Sequence, residues 1–152
     1  HDAMNKANEY MKEQGFSNFL LLASNQYDTV GVFHYIPEED NVLIYPDAIQ
    51  IKVALDNGDV LGFVAKDYYQ NHKDRDISQP KVTEEEALEA VNPNLEIQDK
   101  HMAIIKNDVG DEVLTYVFLG TLNDDTYKIF INASDGSEER VEKLKKAEMR
   151  YS

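Results

Sequence analysis

The stretch IQIKVALDNGDVLGF, Ile49 to Phe63, decides how the rest of the chain is read. Ile49, Ile51, Val53 and Leu55 alternate with Gln50, Lys52 and Ala54, a period of two that marks a strand with one apolar face. Asn57-Gly58 follows, a pair suited to the positive φ angles of a type I′ hairpin turn, and a second segment leaves that turn. Near the other end, YKIFINASDGSEERV (Tyr127 to Val141) repeats the device around Asp135-Gly136. Aligning the two turns sets Ile51, Val53 and Leu55 over Ile129, Ile131 and Ala133, so the repeat is one of pattern rather than of identity.

Working outward, Asp2 to Gln14 reads as a helix, with Asp2 as its N-cap, apolar residues at helical spacing and Gly15 as its stop. Strand formers fill Asn18 to Tyr27, Thr29 to Ile36 and Asn41 to Leu55. Pro46 cannot donate to a sheet ladder and marks a bend or an edge. His72 to Lys81 (HKDRDISQPK) is polar and carries a Pro, the composition of a linker. After it, TEEEALEAV opens a second helix: Thr83 caps it, Glu86 completes a capping box, and NPN at 92–94 ends it. Strands follow over EIQDKHMAIIK, DEVLTYVFLG and DTYKIFINA, and SEERVEKLKKAEMRYS reads as a last strand passing into a helix or tail. The order helix, three strands and a glycine turn therefore occurs twice, with the longer excursion PEEDN in the first copy. The expectation is an α+β fold of two tandem units, 1–76 and 77–152, each a helix packed on a small antiparallel sheet. One such unit is marginal at this size, which favours a pair.

Composition narrows the function classes. Leu, Ile, Val and Phe make up about a quarter of the 152 residues, above the roughly 20% below which disorder is the default. The formal net charge of −14 argues against nucleic acid as a partner, because Lys and Arg neutralising phosphate supply most non-specific affinity. It argues equally against docking on an anionic membrane surface. Acids outnumber bases in both halves of the chain, a distribution that favours neutral or basic partners. There is no cysteine, hence no disulfide or thiol chemistry. No run approaches the roughly 20 apolar residues of a membrane span. The chain opens HDAMNKANEY without an initiator Met and is read as a piece of a longer protein.

No catalytic, cofactor-binding or metal-binding constellation is expected. His1, His34, His72 and His101 share no ligand spacing, and no H-E-x-x-H, G-x-S-x-G, P-loop or dinucleotide fingerprint is present. His34, between Phe33 and Tyr35, reads as a structural strand histidine. The acidic clusters EED, NDVGDE, LNDD and SDGSEE lack the spacing of a calcium loop and read as solvated turns. The aromatic residues are more informative, with nine Tyr, six Phe and no Trp. In Val113 to Leu119 both strand faces are apolar, which is read first as a strand covered twice. The sharper reading is an aromatic face left for a protein partner, for which Phe33, Tyr35, Tyr68, Tyr69, Tyr116 and Phe118 are the candidates.

The segments YPDAIQIKVALDNGDVLGFVAKDYYQNH, PKVTEEEA and YKIFINASDGSEE carry a resemblance to the C-terminal region of the YpeB family of Bacillus spore germination proteins, and the two units resemble PepSY domains. The resemblance spans the chain from about Asp2 onward. It implies a non-catalytic role in the spore, outside the inner membrane, with the longer protein anchored by an N-terminal segment. It also implies a partner, the cortex-lytic enzyme SleB, which such a module would stabilise or restrain until cortex peptidoglycan is degraded. Two alternatives remain open: a propeptide-type peptidase inhibitor, as PepSY units elsewhere suggest, and a peptidoglycan-binding module. Exposed sheet edges make a homodimer a further expectation.

Overall fold

Gly15 ends the first helix by the route its sequence position suggests. In the computed structural model, which describes residues 2–77 and 79–144, α1 runs Asp2–Glu13, with Asp2 inside its first turn rather than capping it. Gly15 sits at φ +88°, its N–H donates to Lys12 O, and Phe16 N–H donates to Met11 O. That bond pair is a Schellman closure, and Met11 and Phe16 meet in one core cluster beneath it.

The strands that follow are β1 (Phe19–Tyr27), β2 (Val30–Glu39), β3 (Val42–Ile44), β4 (Ile49–Ala54) and β5 (Val60–Val64). Then come helices α2 (Lys66–Asn71) and α3 (Glu84–Leu88), and strands β6 (Glu96–Lys106), β7 (Glu112–Leu122), β8 (Asp125–Asn132) and β9 (Glu138–Lys143). Packing divides them into two units. Among the described residues, the first holds those up to Glu39 and Pro46–His72; the second holds Asp40–Tyr45 and residues 73–144.

In the first unit, β1 pairs with β2, β2 with β4 and β4 with β5, all antiparallel. Ile49, Ile51 and Val53 of β4 and Phe33 and Tyr35 of β2 present one face to Ala3, Ala7 and Met11 of α1. This helix-on-sheet core is what the alternation at 49–53 dictates. Leu55 departs from the expectation: β4 ends at Ala54, where the turn begins, and Leu55 is exposed.

The second unit repeats the plan. β6, β7, β8 and β9 pair in sequence, antiparallel throughout, and α3 packs Ala87 against Tyr116, Phe118, Ile129 and Ile131. The Thr83–Glu86 capping box forms as expected, but α3 ends at Leu88, because the chain then tightens into bonds from Glu89, Ala90 and Val91 N–H to carbonyls three residues earlier. β3 adds to this sheet in parallel, Val42–Ile44 against Met102–Ile104.

The correspondence extends to irregularities. The register slips between Leu21 and Ala23 in β1 and between Ile97 and Asp99 in β6. It slips again between Lys52 and Val53 in β4 and between Phe130 and Ile131 in β8. Ala54 N–H bonds Asp59 O and Gly58 N–H bonds Ala54 O; the second unit has Asn132 N–H to Ser137 O and Gly136 N–H to Asn132 O. Gly58 and Gly136 both sit at φ +77°, while Asn57 and Asp135 keep negative φ. The turn is therefore not type I′, which needs two positive φ residues. The adjacent positive angles occur instead at Asp40-Asn41 and at Asn123-Asp124.

Two segments differ from their sequence reading. KDYYQN forms α2, which its polar composition did not announce. Within His72 to Lys81, Lys73–Ile77 has no regular structure but is held in the second unit, through an Arg75–Glu112 ion pair and through Ile77 packed on Val42, Ile44 and Ile104. The expected C-terminal passage into a helix or tail lies beyond Leu144, outside the described residues.

Candidate functional site

The hairpin that decided the fold also places exposed aliphatic groups of the first unit. β4 is central, and β5 lies outside it at the end of the sheet. Phe63 turns inward, opposite Ile51, and its ring packs against Tyr10 and Phe16. Leu61 is 58% exposed and Val64 43%. Gly62 stands opposite Lys52, whose aliphatic stem a side chain there would meet at ordinary contact distance, 3.6 Å. Immediately after β5, α2 carries Tyr68 and Tyr69.

The six aromatic residues expected to meet a partner fall into two groups. Phe33, Tyr35, Tyr116 and Phe118 are core side chains, not surface ones. Two of them also use their hydroxyls internally: Tyr35 donates to Asn8 Oδ1 of α1 at 2.6 Å, and Tyr116 donates to Val82 O, ahead of α3, at 2.6 Å. A buried ring with a polar tip does this because the tip must find a partner when the ring leaves water. Burial pushes the Tyr35 phenol well above its ordinary pKa. Tyr68 is half-buried, edge-on to Phe16, tilted on Phe19 and stacked on His72. Burial first, then the negative charge of Asp47, pushes its phenol up. Tyr69 is 70% exposed. The aromatic surface available to a partner thus reduces to Tyr69 and the outer edge of Tyr68, beside β5 in sequence.

Sequence reasoning missed Asp47 and His72. The Asp47 carboxylate is fully buried, with Oδ2 3.0 Å from Nδ1 of His72. Asn71 Nδ2 donates to Pro46 O at 3.0 Å. Together these contacts clamp the end of α2 to the chain entering β4. Twenty-five residues separate the pair in sequence, with no motif spacing to announce it. The second unit has an anchor of its own. Arg75 Nε and an Nη donate to the two carboxylate oxygens of Glu112 at 2.8 and 3.0 Å, beside a cavity of about 360 Å³ that Asn132 and Ser134 also line.

In two of the acidic clusters a side-chain oxygen closes the local turn. Asn107 Oδ1 accepts from Val109 N–H and Asp111 N–H, and Asp135 Oδ1 accepts from the N–H and hydroxyl of Ser137. These are Asx-type turns. Among the described residues, no group of three or more His, Asp or Glu side chains is placed to hold a metal ion, and no helix is long and apolar enough to cross a membrane.

A short helix on a four-stranded antiparallel sheet, repeated with its bulges and its glycine turn, makes this chain a tandem of PepSY-like units with mixed α+β structure. Residues 1–78 match the family described as YpeB sporulation, PepSY1 and PepSY2 domains, and the chain belongs to the YpeB family. It is 50% identical over 151 residues to the sporulation protein YpeB of Halalkalibacterium halodurans, covering 99% of this chain and 34% of that protein. It is 46% identical over 153 residues to sporulation protein YpeB of Bacillus subtilis, with the same two coverages. The solved C-terminal domain of Bacillus megaterium YpeB superposes with a TM-score of 0.88 at 46% identity, over 95% of this chain and 64% of that one. The chain spans about a third of the length of the curated relatives it matches.

Proposed function

We propose that this chain is the non-catalytic binding module of a spore germination protein, acting outside the inner membrane, and that it stabilises and restrains a cortex-lytic hydrolase of the SleB type until the cortex is degraded. Membership of the YpeB family across the whole chain carries the reading. The uncharged β5 edge and the exposed Tyr69 support it, since added strands and tyrosine side chains are recurrent means of holding a protein partner.

The test is a muralytic assay with purified SleB on decoated spore cortex, with and without a molar excess of this chain, beside a direct binding titration. Saturable binding with dose-dependent slowing of cortex lysis is the expected result. Binding that leaves lysis unchanged would reduce the role to stabilisation. No binding would remove the proposal from these two units.

A further inference from the structure

We propose that the outer edge of β5 is a docking site for one extended strand of a partner protein, apolar along its length and basic at the end that meets the Asp56–Asp59 turn. The inference rests on reading the chain as a binding module and names the element that does the binding.

The argument comes from comparing the same edge in the two units. Ile51 faces Phe63 and Ile129 faces Val141, and each pairing is followed by the same register slip. Val60, Leu61, Gly62, Phe63 and Val64 therefore occupy the positions of Glu138, Glu139, Arg140, Val141 and Glu142. Both strands are the last in their pairing path. An unguarded edge invites another strand, and charged side chains are a usual guard. β9 carries that guard, with Arg140 3.5 Å from Glu142 and Glu139 holding Asn132. β5 has no charged residue at all. Folding does not require apolar residues at the exposed positions, because the second unit builds the same hairpin with Glu139 and Glu142 there. Leu61 and Val64 are exposed without a structural need, and Gly62 leaves the middle of the strand without a side chain to obstruct a neighbouring backbone.

The opposite edge of the first unit, β1, is also uncharged and exposes Leu20 and Tyr27, but it differs at the positions where the second unit accepts a further strand. In the second unit β3 adds to β6 at Met102–Ile104. Counting from the matched slips, the corresponding residues of the first unit are Gln26, Tyr27 and Asp28. These are polar or at the hairpin end, with Asp28 at φ 56° in the turn itself.

Charge selects the occupant. A second copy would bring another chain of net charge −14 to the same edge, which long-range repulsion opposes. Asp56 and Asp59 stand at the start of β5, and antiparallel addition would continue the pairing of this sheet. The end of the added strand beside that turn is then its C-terminal end, where a Lys or Arg is favoured.

The test compares the unaltered chain with L61E/V64E, which copies Glu139 and Glu142 of the second unit, and with the milder L61T/V64T. The probes are short synthetic peptides of alternating Val and Thr, one ending in Lys-Arg and one in Asp-Glu, together with the SleB-type hydrolase. Amide exchange locates the site and titration gives the affinity. The expected result is slowed exchange at β5 with the basic-ended peptide, weaker binding of the acidic-ended one, and affinity reduced about tenfold or more in L61E/V64E. Protection elsewhere, or equal affinity in all three chains, would overturn the β5 site. A dimer of the unaltered chain that L61E/V64E abolishes would also overturn it, in favour of self-pairing. Hydrolase binding that L61E/V64E leaves intact would sink the β5 site and spare the proposed function. Peptide docking at β5 without any hydrolase binding would do the reverse.

Discussion

Asp47 Oδ2 lies 3.0 Å from His72 Nδ1, with the carboxylate fully buried and the imidazole part-exposed and stacked on Tyr68 at a ring separation of 4.6 Å. A buried carboxylate is tolerated only when hydrogen bonds replace the water it gave up. The pair therefore fixes α2, and with it Tyr69, against the start of β4. Replacing His72 by Ala removes one partner of that carboxylate and is expected to lower unfolding free energy by about 1–3 kcal/mol. Urea denaturation measures this, and a change below about 0.5 kcal/mol would make the contact incidental.

Arg75 and Glu112 form the corresponding anchor in the second unit, a two-pronged pair in which the Arg75 side chain is only 4% exposed. The hydrogen bonds from Arg75 hold the Glu112 carboxyl below the usual glutamate range. A carboxylate depressed in the folded state adds stability above its unfolded pKa, roughly 4.3, and that contribution is lost as pH falls through the folded value. Glu112→Gln should therefore be destabilised by about 1–2 kcal/mol at neutral pH and converge on the unaltered chain in acid. Denaturation at pH 7 and pH 3 would show it; an equal gap at both would mean the pair adds nothing electrostatic.

The repeat, the two anchoring turns and the capping box were legible because each depends on residues close in sequence: the alternation at Ile49, Ile51 and Val53, the glycines at 58 and 136, and Thr83 with Glu86. The turn type was not. Asn57-Gly58 satisfies the local rule for a two-residue hairpin, but the strand geometry holds only the glycine at positive φ. The burial of four of the six aromatic candidates, Phe33, Tyr35, Tyr116 and Phe118, was illegible for the same physical reason. Alternation shows that Tyr35 and Tyr116 lie on one face of a strand and does not say whether a helix covers that face. The β5 edge becomes conspicuous only when its residues are set against those of β9, because no composition rule marks VLGFV as exposed.

His101 gives a separate acid dependence. It is half-buried on β6, its Nε2 has no hydrogen-bond partner among the described residues, and burial, with Lys128 second, lowers its pKa to about 4. Asp99 acts in the opposite direction. Folding thus favours the neutral ring. Its contribution is fully present above the unfolded value, roughly 6.5, and declines as pH falls from there toward the folded value. Over that window the loss should reach roughly 3 kcal/mol. His101→Leu should remove the slope between those two pH values while leaving the steeper carboxylate region below it. Thermal denaturation at closely spaced pH values reads this directly, and an unchanged slope would assign it elsewhere.

Three glycines, Gly58, Gly136 and Gly120, separate backbone strain from crowding. At Gly58 an added Cβ would meet only the stem of Lys6, at 3.5 Å, and at Gly136 only Val82, at 3.8 Å. Both are ordinary contacts, so Gly58→Ala and Gly136→Ala should each be destabilised by about 1 kcal/mol through their shared φ of +77°, and by similar amounts. Gly120 has no positive φ, yet a Cβ there would stand 2.7 Å from Leu95 Cγ and 2.8 Å from the Glu96 carbonyl oxygen. A backbone oxygen cannot swing aside as a side chain does, so β6 must shift where it pairs with β7. Gly120→Ala should therefore lose more than either turn variant, about 2–3 kcal/mol. Equal losses at all three positions in urea denaturation would mean that β6 accommodates the methyl group and that crowding does not fix this glycine.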